Sequence, residues 1–333
     1  MPNLDTLDRQ ILDTIQKEFP LSSRPYHDIA KTFEVSAEEI MKKITHLKEI
    51  GVIRQLSAIF DTRKLGYTSS LVAMKVESDK IEEIAKIINK HPGVSHNYER
   101  IHEFNLWFTL AVPPGVELKL EVDNLSKIDG VISIRMLPTI KMFKIGVKLD
   151  MVDKQKIEPT EQKQEFNNSA FDPTEKEKEF VRELQKDLKV VERPFASAVN
   201  ALNMTENEIF AKLKEYQRAG VMRRYAAILR HRDIGFVANG MIVWKVPEDK
   251  IDMVGEILGS FSQVSHCYQR PVYSDWKYNV FSMIHCKTQD EAKQVAKEIQ
   301  KFVNVEEYTI LFSAREFKKT RVEYFVDTPK ITT

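Results

Sequence analysis

Two stretches of the chain carry nearly the same phrase of reactive side chains, GVSHNYER at 93–100 and QVSHCYQR at 263–270. An imidazole exchanges a proton near neutral pH or binds a metal, a phenol donates a proton, and a guanidinium stays cationic. On a β-strand successive side chains point to opposite faces, which predicts Val94, His96, Tyr98 and Arg100 on one face and Ser95, Asn97 and Glu99 on the other. The same alternation groups Val264, His266, Tyr268 and Arg270. A lone triplet of this kind is more often a set of cross-strand pairs on an exposed sheet. Its recurrence in both halves favours two walls of binding sites.

The strongest charge feature is RRYAAILRHR, which contains Arg223, Arg224, Arg230, His231 and Arg232. Arginine forks grip carboxylates or phosphates in bidentate fashion, although charge runs are commonly solvated. The N-terminal half carries only Arg54 and Arg63 in the matching segment, so the two sites are expected to differ. Arg24 and Arg193 each precede a proline, which restricts the arginine backbone to extended conformations and suits a side chain reaching out of its module. His27, His46, His91, His102 and His285 have no partner in the repeat and read as surface or packing residues.

The elements that position these groups come in two copies. Gly51 and Gly220, Arg54 and Arg223, and Gly66 and Gly235 are each separated by 169, His96 and His266 by 170, and Asn105 and Asn279 by 174. Four residues are therefore inserted in the second copy within PVYSDWKY, just before its third sheet strand. Each copy opens with helical periodicity, as in Leu4, Leu7, Ile11, Leu12 and Ile15. Pro173 sits just inside an expected Asp172 cap. A third helix follows the capping pairs Ser36/Glu39 and Thr205/Glu208 and stops at Gly51 or Gly220. With the strand-like VIRQLSAIF this is a winged helix-turn-helix pattern, and the βαββαβ order after it is ferredoxin-like. The predicted fold is thus α+β, a tandem repeat of winged helix-turn-helix plus ferredoxin-like domain. The expected divisions are 1–66, 67–150, a linker at 151–171, 172–235, and 236–333 with a C-terminal tail.

Bulk properties exclude several classes. With 50 Lys plus Arg against 49 Asp plus Glu over 333 residues, there is no global attraction to nucleic acid or anionic lipid. The helices in the recognition position carry three charges of each sign, a composition suited to scaffold rather than to base reading. No apolar run reaches the length of a membrane span and no signal peptide is visible, so the expected address is the cytosol. The two cysteines, Cys267 and Cys286, lack the spacing of a disulfide or zinc framework.

The helix-turn-helix plus ferredoxin-like pairing and the opening LDTLDRQIL resemble the leucine-responsive regulator (Lrp/AsnC) family. More specifically, RPFASAVNALNMTENEI, RRYAAILRHRDIGFVANGMIVWKVPE, VSHCYQRP and WKYNVFSMIH resemble one subunit type of the sirohaem decarboxylases. SRPYHDIAKTFEVSAEEI, GVIRQLSAIFDTRKLGYTSSLVAMKV and GVSHNYER with NLWFTL resemble the other. The chain thus looks like both subunit types fused, an internal pseudo-dimer whose further homo-oligomerisation is open. The resemblance implies decarboxylation of sirohaem acetate side chains to 12,18-didecarboxysirohaem on the alternative haem or haem d1 route. His266 or His96 would be an axial ligand to the substrate iron or the proton donor, with Tyr268 and Tyr98 as alternative donors. Arg193, Arg223, Arg224, Arg230, His231, Arg232, Arg270, Arg24, Arg54 and Arg100 would hold carboxylates. No cofactor beyond the iron of the substrate is required; a regulatory haem is the further group the family allows. The C-terminal half, with the richer arginine run, is the expected catalytic one. The competing readings are an Lrp/AsnC-type transcriptional regulator and a haem-sensing regulatory protein; DNA binding is not expected from the helix charges.

Overall fold

The computed structural model describes residues 4–145, 171–229 and 238–327, and the chain divides into two compact units. One unit gathers both helix-turn-helix segments; the other gathers both ferredoxin-like segments.

In the helical unit the N-terminal half supplies α1 (Thr6–Lys17), α2 (Pro25–Phe33), α3 (Ala37–Glu49) and β1 (Ile53–Phe60). Each helix has a local reason to start. Asp5 and Asp8 close a reciprocal capping box on α1, Pro25 takes the first position of α2, and Ser36 accepts from the Glu39 N–H at α3. Gly51 follows α3 with φ 74°, the left-handed conformation that a C-terminal glycine permits. Ile11, Leu12 and Ile15 of α1 pack inward with Ile40, Ile44 and Leu47 of α3. Each such burial contributes roughly 1.5–3 kcal/mol before entropy is counted.

The second copy of these helical elements follows in chain order only after the first ferredoxin-like segment, whose elements are β2 (Thr68–Val76), α4 (Ile81–Asn89), β3 (Val94–Arg100), β4 (Leu106–Val112), α5 (Leu118–Leu125), β5 (Val131–Leu137) and β6 (Lys141–Ile145). Then come α6 (Glu175–Leu184), α7 (Ala196–Leu202), α8 (Glu206–Arg218) and β7 (Met222–Leu229). The cap of α6 is Thr174 and not the expected Asp172. Thr174 and Glu177 bond each other's backbone N–H reciprocally, which moves the helix start past Pro173. The two halves are joined by their strands: β1 pairs antiparallel with β7, Ser57 opposite Ala226. Phe19 N–H donates to Tyr225 O at 2.7 Å and Leu188 N–H to Leu56 O at 2.7 Å, the same contact made twice with the halves exchanged.

In the sheet unit the last elements are β8 (Ala238–Trp244), α9 (Ile251–Ser260), β9 (Val264–Gln269), β10 (Val280–Cys286), α10 (Gln289–Val303) and β11 (Tyr308–Lys319). All strands join one nine-stranded sheet, β5-β2-β4-β3-β11-β8-β10-β9-β6. Within it each half shows the ferredoxin-like order, fourth-first-third-second. The halves then exchange strands. The end of β11 pairs with β3, and β6 pairs with β9, so each half covers the other's edge and leaves fewer unpaired backbone groups. Helices α4 and α5 cover a core with Val72, Val94 and Phe108, while α9 and α10 cover one with Ile242, Val264 and Ile284. A third core unites the halves on the other face, where Ala73, Trp107 and Leu137 meet Met241, Val243, Phe281 and Leu311. The inserted segment feeds this core through Trp276, and Arg135 grips Asp275 with two bonds of 2.8 and 2.6 Å. Among the described residues no helix is long and apolar enough to cross a membrane.

Candidate functional site

Both copies of the motif are strands, β3 and β9, but each begins with a bulge. Val94 pairs with Leu110 and His96 with Thr109, so two steps on β3 face one on β4; Val264 and His266 do the same against Ile284 and Met283. The extra residue reverses the alternation. Val94 and Val264 therefore lie in the helix-covered cores, together with Asn97 and Cys267, and not with the histidines. His, Tyr and Arg stay together on the opposite face, because the pleat is regular from the histidine onward.

On that face the two copies match closely. The rings of His96 and Tyr98 are 6.3 Å apart at 30°, and those of His266 and Tyr268 are 6.1 Å apart at 31°. Arg100 and Arg270 lie 5.8 and 5.0 Å from the adjacent tyrosine ring centres. Their forks are not open, however, as the carboxylate-binding expectation requires. Arg100 is buried and donates to Leu311 O at 2.6 Å; Arg270 donates to Leu137 O. Leu137 ends β5 and Leu311 lies within β11, each in the last ferredoxin-like strand of the opposite half, so each arginine ties its own strand across to the other half. Burial pulls both guanidiniums down to about 10, still cationic at neutral pH.

The exchanged strands make the two faces chemically different. Beside the N-terminal motif, β11 sets Glu316 opposite Tyr98 and Lys319 opposite His96. Beside the C-terminal motif, β6 sets Met142 opposite Tyr268, with Phe281 on its other side. Lys144 and Lys318 occupy equivalent places on the helix side. Lys144 caps Phe261 O at 2.6 Å, and Lys318 reaches Asn89 O and His91 O at 2.7 and 3.2 Å. Burial, with the Lys144 charge adding to it, holds His266 below its ordinary pKa and so favours the neutral ring.

A second histidine joins the C-terminal site. Ser265 Oγ lies 2.9 Å from His266 Nδ1 and 2.9 Å from His285 Nε2, and donates to Met283 O at 3.2 Å. His285 lacks a counterpart in the repeat and from the sequence reads as a surface or packing residue. The signal was available in that very absence: with the offset of 174, Ala111 occupies the matching place. In the N-terminal copy Ser95 Oγ lies 2.9 Å from His96 Nδ1. His91 and His102 are structural, each accepting a backbone N–H two residues on, from Gly93 at 2.9 Å and Phe104 at 3.1 Å.

The remaining expected arginines belong to the helical unit. Arg223 is engaged with Asp61 through Nε and Nη2 at 3.1 and 2.8 Å, which lowers the Asp61 pKa against the opposing effect of burial. Arg224 is exposed, opposite Ile59. Arg24 faces Glu192 at 3.4 Å and Arg193 bonds Glu206 at 2.8 Å, so these two meet acids of the C-terminal half, while Arg54 is half-buried on β1. Arg230, His231 and Arg232 lie outside the described residues. Three of the lysines of α3 and α8 are also occupied: Lys43 by Asp5 and Asp8, Lys48 by Asp187, Lys212 by Glu177 and Glu215. Among the described residues no group of three or more His, Cys, Asp or Glu is placed to hold a metal by itself.

Comparison with known proteins follows this division. The "Siroheme decarboxylase NirDL-like HTH domain" matches residues 8–54 and 177–223, and the "AsnC-like ligand binding domain" matches 64–144 and 233–318. A "Siroheme decarboxylase" of Hydrogenobacter thermophilus is 43% identical over 95% of this chain and 94% of its own. A "Siroheme decarboxylase alpha subunit" of Desulfovibrio desulfuricans is 40% identical over 45% of this chain and 87% of its own. The crystal structure of the siroheme decarboxylase NirDL in co-complex with an iron-uroporphyrin III analogue superposes with a TM-score of 0.73, at 38% identity over 96% of this chain and 94% of that one.

Proposed function

The chain belongs to the siroheme decarboxylase family and is a carboxy-lyase of sirohaem in alternative haem biosynthesis, and on that premise we propose that the reaction runs on the C-terminal strand face, at His266 and Tyr268. The observation that carries the choice is the exchanged strand. Glu316 and Lys319 stand opposite Tyr98 and His96 and make that face charged, whereas Met142 stands opposite Tyr268 and offers apolar surface to the flat face of a macrocycle.

The chemistry asks little of the protein beyond orientation and one proton. When the bond from a ring-attached acetate to its carboxyl breaks, CO₂ leaves and the electron pair stays on the methylene carbon, delocalised into the macrocycle; one proton then makes a methyl group. The two acetates that give 12,18-didecarboxysirohaem go through the same step twice. His266 serves as axial ligand to the substrate iron or as the proton donor, since one imidazole nitrogen cannot do both at once. Tyr268 is the alternative donor. A grip on the carboxylates that remain would align the scissile bond across the ring plane.

Replacing His266 and His96 separately by alanine and following anaerobic sirohaem conversion by mass tests the assignment. Turnover is expected to disappear with His266→Ala and persist with His96→Ala. Unchanged turnover in both variants overturns the histidine assignment, and loss with His96→Ala alone moves the reaction to the other face. We also read the protein as cytosolic, since Cys267 and Cys286 are both unpaired and buried, as suits a reducing compartment. The paired lysines of α3 and α8 favour no DNA binding, and the internal strand exchange favours a pseudo-dimer within one chain, which light scattering of the purified protein would test.

A further inference from the structure

We propose that Ser265 is a positioning residue: its hydroxyl, anchored on the Met283 carbonyl, holds the His266 ring in the tautomer with its hydrogen on Nδ1 and leaves Nε2 bare. The inference deepens the reading that His266 meets the macrocycle and rests on it. The bulge at the start of β9 supplies the geometry. Val264 pairs with Ile284 and His266 with Met283, so Ser265 is the extra residue without a place in the ladder. A regular strand turns neighbouring side chains to opposite faces; at the bulge the two meet, with Ser265 Oγ 2.9 Å from His266 Nδ1. Ser265 is only 5% exposed, which leaves its hydroxyl to protein partners.

A hydroxyl has one hydrogen and two lone pairs. The Met283 carbonyl, 3.2 Å away, can only accept, so the hydrogen goes to it and Oγ faces His266 as an acceptor. The ring must then bring the hydrogen of that bond, which in a neutral imidazole puts the lone pair on Nε2. His285 Nε2, at 2.9 Å, takes the other lone pair of Oγ and changes nothing in this count. His266 Nε2 itself has no hydrogen-bond partner among the described residues. A bare Nε2 can take an axial place on the substrate iron; an Nε2–H cannot. The arrangement thus favours the ligand role of His266 and leaves the proton to Tyr268. The N-terminal copy has the bulge and the serine without the anchor: Ser95 Oγ lies 2.9 Å from His96 Nδ1 and bonds no strand carbonyl among the described residues. Its hydroxyl is able to give that ring a hydrogen or to take one, so Ser95 does not set the tautomer.

The tautomer is readable without substrate, from long-range proton–nitrogen spectra of ¹⁵N-histidine-labelled protein in mildly alkaline buffer, the His266 signals being those missing in His266→Ala. The parent protein is expected to show the Nδ1–H form at His266. Ser265→Ala shifts it toward Nε2–H, and Ser265→Thr, which keeps the hydroxyl, restores it. His285→Ala leaves it in place, because the Met283 carbonyl still takes the hydroxyl hydrogen. In parallel, binding of iron-uroporphyrin III followed by its Soret band is expected to weaken about 10–100-fold in Ser265→Ala, the range for removing the partner of a ligating histidine, and to recover in Ser265→Thr. An Nε2–H form in the parent protein overturns the proposal, and so does a tautomer that ignores Ser265→Ala or moves with His285→Ala. If His266→Ala converts sirohaem at the parent rate while the tautomers behave as expected, the catalytic reading fails and the hydrogen-bond device stands. If His266→Ala is inactive and the tautomer does not respond to Ser265→Ala, the reverse holds.

Discussion

Trp276 offers a sharp test of how the inserted segment works, because one side chain carries two opposing effects. It is 2% exposed and packs edge-on against Phe104 at 5.6 Å, Trp107 at 5.3 Å and Tyr278 at 5.2 Å. Truncating a buried tryptophan to alanine costs about 3–5 kcal/mol. Yet the Trp276 indole N–H is buried with no acceptor among the described residues, a defect worth about 1–3 kcal/mol that truncation removes. Trp276→Ala is therefore expected to destabilise by about 2–3 kcal/mol. Trp276→Phe keeps a ring, forfeits roughly two methylene equivalents of burial at about 0.8 kcal/mol each, and sheds the orphan N–H, so it should lie within about 1 kcal/mol of the parent. Urea unfolding followed by near-ultraviolet circular dichroism and by fluorescence measures both. A phenylalanine variant as unstable as the alanine one would show that the N–H is partnered, and an alanine variant within 1 kcal/mol of the parent would remove the inserted segment from the core.

Arg100→Met and Arg270→Met should leave the Soret-monitored affinity for iron-uroporphyrin III within about threefold while lowering stability by about 1–3 kcal/mol, since each strands a buried carbonyl of the opposite half; a tenfold loss of affinity with unchanged stability would restore them as carboxylate holders. Burial, with the Lys318 charge adding to it, brings His91 down to about 4 from 6.5. The unfolded chain takes up that proton near 6.5 and the folded ring only near 4, so stability is full above pH 6.5 and falls by about 3 kcal/mol as pH drops through that window. Denaturant titrations across that range should show the loss in the parent and a flatter profile in His91→Gln; equal profiles would place the acid sensitivity elsewhere.

Much of this protein is legible in the chain itself. The offsets of 169, 170 and 174 reveal the duplication and the insertion, since insertions shift an offset without erasing a repeat. Helical periodicity, the Ser36 and Thr205 caps and the glycines at 51 and 220 are local devices, and local chemistry is what a sequence displays. The grouping of His, Tyr and Arg on one face follows from a period of two. What the tertiary structure alone decided depends on partners distant in sequence. A bulge exists only relative to the strand opposite, so the valines changed face unseen. An arginine is open or buried according to whether another half's carbonyl stands over it, and Leu137 and Leu311 lie 133 and 211 residues away from their arginines. The pairing of β6 with β9 and of β11 with β3 makes one face apolar and the other charged. His285 looked solitary because a repeat highlights what is shared, and its contact with Ser265 is made only across a strand pair.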